Sequence, residues 1–209
     1  MSSKKQMMDF KPVKSVDANV SNEHQRNWSD ELFGRKAKDP DHNYDRSRTA
    51  LNFQVGRGGV ITAVDKLRRI GDKVDEIIKS RLNPKARVTA ISNRAVMVVF
   101  GGNRERMREM AFGSQDFHEH EEINGHLIRQ PEIERWAKDV YGFVCREFGE
   151  ENIASFIVHL DETGPHAHCV FVPMTADGRL CSKEVLGGKN KMEARQHMRD
   201  LHTRLAEVN

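Results

Sequence analysis

A chain of 209 residues, 37% hydrophobic and 31% charged, has the size and composition of one soluble globular domain and excludes a disordered polypeptide. No run approaches the roughly 20 apolar residues that cross a bilayer, and the N-terminal MSSKKQMMDFKPVK lacks the apolar stretch of a secretory signal, so the expected compartment is the cytoplasm. The net charge of +3 permits nucleic-acid binding without demanding it, and three cysteines with no Cys-x-x-Cys pattern point to neither a disulfide framework nor a thiolate zinc site.

Residues 1–58 read as polar and loop-rich, with short strands. Residues 7–14 fit an edge strand, 21–38 include a helix, and DPDHNYDRS at 39–47 is turn-like. RTALNFQV at 48–55 reads as a strand with Leu51, Phe53 and Val55 on one face, ended by Gly-Arg-Gly-Gly. Thr62 to Asp65 has the pattern of a capping box, and Val64, Leu67, Val74, Ile77 and Ile78 follow at helical spacing. A helix is therefore predicted near 63–82, stopped by Asn83-Pro84.

RAVMVVF at 94–100 is a buried strand by its continuous apolar run, and GNRERMREMAF after it suggests a helix. Residues 114–130 are rich in His and Glu and show no clear period. Pro131 opens a helix whose apolar face, from Ile133 to Phe148, ends at Gly149. Strands follow at 152–160 and 166–173, joined by the turn DETGP, and TADG at 175–178 makes a further hairpin turn. A last helix from about 190 places Met192, Met198, Leu201, Leu205 and Val208 inward. It carries no stop signal, which points to residues 1–209 as one domain forming the N-terminal part of a longer protein. The expected fold is α+β: a central, mainly antiparallel sheet with helices on one face and a three-histidine metal site on the other.

The metal site is read from VHLDETGPHAHC at 158–169. His166 and His168 are two apart on a strand, so both rings point to one face. The short turn sets the preceding strand antiparallel, with His159 near the pair. Three neutral nitrogen donors suit zinc, manganese, iron, nickel or copper and leave coordination positions open, as a catalytic site requires. Asp161 and Glu162 in the turn have two available roles: orienting the ring N–H groups from a second shell, or handling a proton. No His-Glu-x-x-His string occurs.

HLDETGPHAH at 159–168 closely resembles the third motif of the plasmid mobilisation/recombination relaxases, the MobV type of the His-hydrophobic-His endonuclease superfamily. SRTALNF at 47–53 is similar to the family's Arg-x-x-x-Leu-Asn-Tyr motif, with Phe53 in place of the tyrosine. SNEHQR at 21–26 resembles its first motif, His-Asn-x-Arg, although Arg26 follows His24 by two residues rather than three; alignment on Arg26 puts Glu23 at the histidine's place. CSKEV at 181–185 is also similar, so the resemblance spans about residues 20–205.

The resemblance implies a metal-dependent enzyme that nicks one strand of DNA at a plasmid origin of transfer, single-stranded or hairpin, and stays covalently joined to the cut end for conjugative mobilisation. It implies a divalent metal, Mn2+ or Mg2+, on His159, His166 and His168, with Glu162 supporting catalysis. The nucleophile is left between His24, by its first-motif match, and Tyr44, in the turn before the LNF strand; His42, His118 and His120 are further candidates. Tyr141 falls in a packed helix, and Phe53 has no nucleophilic atom. Arg26, Arg48, Asn52 and Arg104 are the expected DNA contacts, with basic runs at Lys66, Arg68, Arg69, Lys73 and Lys79 and at Arg106 and Arg108 as further phosphate contacts. Coupling to conjugation machinery also follows from the resemblance. The alternatives are a rolling-circle replication initiator, which would carry a tyrosine on a helix after the metal motif where residues 174–209 have none, and a non-catalytic DNA-binding module.

Overall fold

A computed structural model describes residues 6–38, 44–119, 123–187 and 190–208. Six strands form one antiparallel sheet in the order β1-β4-β6-β5-β2-β3. They are β1 (Met7–Val13), β2 (Phe53–Gly56), β3 (Val60–Ala63), β4 (Ala95–Gly101), β5 (Ile153–His159) and β6 (His166–Phe171). The helices are α1 (Ala18–Gln25), α2 (Asp30–Ala37), α3 (Ile70–Arg81), α4 (Arg104–Phe112), α5 (Pro131–Phe148), α6 (Ser182–Gly187) and α7 (Lys191–Ala206). Among the described residues no helix is long and apolar enough to cross a membrane.

Strand alternation sorts the side chains. Val96, Val98 and Phe100 of β4, Phe156 and Val158 of β5, and Ala167, Cys169 and Phe171 of β6 face one side. They pack against α4, α5 and α7 through Phe112, Ile133, Val140, Phe143, Leu201 and Leu205. Each of these larger side chains contributes about 1.5–3 kcal/mol on full burial. α5 has the Pro at its first turn that the sequence predicts, and it stops at Gly149, whose φ of 81° suits glycine. On the other side, Ala95, Ile157 and Val170 meet Ile70, Val74 and Ile78 of α3, with Val16 and Val20 beside them. The histidines of β5 and β6 lie on this second side, opposite the main helical layer as expected. They share it with the smaller α1–α3 layer.

Four local expectations are corrected. Residues 46–51 form a 3-10 helix, not a strand, because the Asp45 carboxylate accepts from Ser47 N at 2.9 Å and draws Arg48 inward. The predicted helix at 63–82 begins only at Ile70. Residues 60–63 pair with β2, Thr62 bonds to Gln54, and Asp65 folds the chain back by accepting from Leu67 N and Arg68 N. Residues 21–38 are two helices, separated where Arg26 takes a left-handed conformation with φ 50°. Met192 is exposed rather than inward. The Asp39–Asn43 part of the expected turn lies outside the described residues.

Candidate metal centre

The site is built on the β5–β6 hairpin. His159 and His166 are direct cross-strand partners, and His168 lies two residues on along the same face. Ring centroids are 5.4 Å apart for His159 and His166, 4.9 Å for His159 and His168, and 4.7 Å for His166 and His168. Donor atoms of these three residues and of Glu162 lie within 4.8 Å of one another.

Two of the imidazoles have their tautomers set by main-chain carbonyls. His166 Nδ1 donates to Gly164 O at 2.8 Å, leaving the Nε2 lone pair free. His159 Nε2 donates to His24 O at 2.8 Å, leaving Nδ1 as the acceptor. His166 Nε2 and His168 Nε2 face each other at 2.9 Å. Two nitrogens bound at right angles to one ion, each about 2.1 Å from it, stand about 3 Å apart. The four residues therefore fit a divalent cation. The donor set has one carboxylate beside three imidazoles, and carbonyls hold two of the rings from behind.

Arg26 dominates the electrostatics. Its buried guanidinium grips Asp161 with a fork, Nε at 2.9 Å and Nη2 at 3.0 Å, and Nη2 also contacts Glu162 and His159 Nδ1, the latter at 3.1 Å. Burial disfavours every charge here, but Arg26 outweighs it for Asp161, whose carboxyl is held below its usual range. Glu162 is likewise held low against burial, by His159, His166 and Arg26. Asp161, expected to orient a ring N–H, instead holds Arg26 and accepts from Thr49 Oγ1 at 3.2 Å.

The other predicted residues divide into those inside the site and those behind it. His24 is buried, and its ring lies 4.3 Å from that of His168 at 31°. Its Nδ1 is buried without a hydrogen-bond partner, and burial, then His159 and Arg26, lowers its pKa to about 3. The ring is therefore neutral near pH 7. Tyr44 is also close but hidden: its hydroxyl donates to Glu23 Oε1 at 3.1 Å, the Arg26 guanidinium sits 4.4 Å over its ring, and burial pushes the phenol's pKa up. Arg48 and Asn52 are buried behind the site. Arg48 bonds to Asp45 and to the carbonyls of Leu160 and Glu162, and Asn52 Oδ1 accepts from Leu160 N at 2.7 Å. They shape the loop that presents Glu162. Arg104 is exposed above Gly164, where an added Cβ would lie 3.7 Å from its Cγ.

His118 is outside the cluster, in the 113–130 segment, beside Asp116 and His126. Tyr141 is buried in α5 against Glu150. His42 and His120 lie outside the described residues. Two participants were not singled out from sequence. Trp28 meets Tyr44 edge-on with ring centroids 5.3 Å apart, its ring also 5.3 Å from the Arg26 guanidinium, and Thr49 reaches Asp161. Neither leaves a periodic signal, because Trp28 sits between two helices and Thr49 in a single short 3-10 helix.

The comparisons with known proteins agree with this geometry. The family model described as plasmid recombination enzyme matches residues 119–208, which include all four donors. This chain is similar to the plasmid recombination enzymes. A plasmid recombination enzyme type 1 of Staphylococcus aureus is 38% identical over 118 residues, 56% of this chain and 25% of the relative. A type 3 enzyme of the same species is 42% identical over 62 residues, 30% of this chain and 15% of that one. The aligned stretches thus span a quarter or less of those relatives. Among solved structures, the Mn-bound MobM relaxase domain on plasmid pMV158 origin-of-transfer DNA superposes with a TM-score of 0.67 at 16% identity, covering 97% of this chain and 85% of that one. A second Mn-bound crystal structure of that domain, at pH 4.6, gives 0.66. The plasmid-recombination resemblance read from the sequence is borne out, as is the fold.

Proposed function

We propose that this chain is a relaxase domain: a metal-dependent, strand-specific DNA nicking and joining enzyme acting at a plasmid origin of transfer. The observation that carries the proposal is the buried His24 imidazole against His168, at the edge of the four-donor cluster. The MobM domain, of the same fold, is Mn-bound on origin DNA. His159, Glu162, His166 and His168 would hold a divalent cation, Mn2+ or Mg2+, which supplies Lewis-acid polarisation of the scissile phosphate.

In this reading a His24 nitrogen lone pair attacks phosphorus. A P–N bond forms as one P–O bond to a neighbouring sugar breaks, and the released oxygen takes up a proton. The reverse step rejoins the strand without an outside energy source. Arg26 holds Asp161 and Glu162 in place, Arg48 and Asn52 fix the main chain on either side of Asp161, and Arg104 binds a phosphate at the rim. Tyr44 supports Arg26 and stays protonated. Domain boundaries of 1–209, a cytoplasmic location and coupling to conjugation machinery belong to the same proposal.

The test is the chemistry of the DNA adduct. Labelled origin oligonucleotides incubated with Mn2+ should give an acid-labile, alkali-stable protein–DNA product, the behaviour of a phosphoramidate. It should vanish in His24→Ala and persist in Tyr44→Phe. An acid-stable adduct lost in Tyr44→Phe would assign the attack to tyrosine. A non-catalytic binding module would give no adduct with any metal.

A further inference from the structure

The turn between β3 and α3, residues 64–69, holds a side chain with no structural use. Leu67 is 96% exposed, and Lys66, Arg68 and Arg69 around it are exposed too. Lone exposed apolar residues are common on proteins and need no explanation. This one differs in how firmly it is displayed.

Asp65 receives the N–H groups of Leu67 at 2.9 Å and Arg68 at 3.3 Å, and its other oxygen is held by Lys73 Nζ at 2.8 Å. Asp65 N donates to Gln54 Oε1 at 3.0 Å. The buried Gln25 amide donates to the carbonyls of Asp65 and Arg68. Lys66 Nζ reaches Arg26 O at 3.2 Å, and Asn27 Nδ2 reaches Lys66 O at 3.3 Å. The turn is thereby fastened to residues 25–27, immediately after His24. Its conformation is fixed at both ends, so the leucine is presented on a rigid support and little ordering entropy remains to be lost on contact.

We infer that this turn is a DNA-strand contact beside the scissile phosphate, with Leu67 packing against an unstacked base and Lys66 and Arg69 gripping the flanking phosphates. The inference rests on the DNA-nicking reading above. Proteins insert apolar wedges between base steps and partly unstack them, with basic side chains alongside, and a wedge already held in place loses little entropy on contact. Arg69 makes no ion pair among the described residues, whereas Arg68 is paired with Glu76, so Lys66 and Arg69 are the better phosphate partners.

The test uses the whole chain in EDTA, so that nicking plays no part, with a fluorescein-labelled random-sequence single strand followed by anisotropy. Leu67→Ala should weaken binding roughly three- to tenfold and Leu67→Glu by more than about tenfold, since a carboxylate repels the strand. Leu67→Ala should leave the salt slope unchanged, while Lys66→Ala and Arg69→Ala should each reduce it by about 0.7. In Leu67→Trp, the new indole should be quenched when DNA binds. Wild-type affinity in both Leu67→Ala and Leu67→Glu, with an unquenched Leu67→Trp, overturns the inference; the adduct test with His24→Ala then still decides the nicking reading on its own. A wild-type chain that binds no DNA at low salt overturns both.

Discussion

The two faces of the sheet are made from the same strands and do opposite things. The α5 face is an apolar layer in which Phe143, Phe156 and Phe171 have almost no exposure and polar groups are few. The α1–α3 face buries His159, Asp161 and Arg26 in an ion-pair and hydrogen-bond network and sets the buried His24 ring beside it. Apolar burial stabilises without directing chemistry. A buried polar network contributes little net stability but, fully paired, rigidifies the groups in it. The molecule keeps its apolar core on one side and its candidate site on the other.

The sharpest way to break that division is to remove a donor. His168→Ala should lower nicking by at least about a thousandfold and leave the far-ultraviolet circular dichroism unchanged. Cleavage at the wild-type rate after chelation and Mn2+ resupply would show that the cluster does not serve the reaction. On the opposite face the effect should be reversed in kind. Phe156→Ala should cost about 3–5 kcal/mol in urea unfolding, through lost transfer energy and a cavity, while any protein that remains folded still nicks.

Arg26→Ala lies between these cases, because it strands a buried Asp161. It should cost about 3–5 kcal/mol, more than most site residues should, and Asp161→Asn in the same chain should recover part of that loss. Full additivity of the two changes in urea melts would mean that the pair is not coupled.

A smaller effect is expected from pH. His24, His159 and His168 all have pKa values lowered, chiefly by burial, so the unfolded chain binds more protons than the folded one just below the ordinary histidine value of 6.5. Folded stability contributed by the neutral rings is present above 6.5 and is lost as pH falls below it. Metal-free protein should therefore unfold at lower urea concentration at pH 5 than at pH 7.5. His24→Gln should flatten the slope by about one proton's worth. A midpoint that does not move with pH would remove the basis for neutral, buried imidazoles.

The donor cluster was legible in the sequence because it sits on a regular hairpin. A period of two and a short turn are enough to bring His159, His166 and His168 to one face. The strand at 94–100 and the helix from Pro131 were legible for the same reason: continuous or periodic apolar residues bounded by Gly and Pro. The support around the cluster was not. Arg48 and Asn52 read as DNA contacts, yet they bind main-chain atoms of Leu160 and Glu162 more than a hundred residues away. Asp65 passed for part of a capping box, when tertiary bonds from Gln25 and Lys73 make its segment a turn. Local pattern cannot distinguish a surface arginine from one whose partners are distant in sequence.

The fork between Arg26 and Asp161 joins residues 135 positions apart. On a ribosome moving at about 5–20 residues per second, Arg26 is synthesised roughly 7–27 s before its partner. For that interval α1 lacks the β5–β6 hairpin, whose His159 Nε2 will later meet the His24 carbonyl. Nascent chains arrested before residue 161 should then be open to protease around Arg26, and protection there should appear only once the β5–β6 hairpin has cleared the exit tunnel.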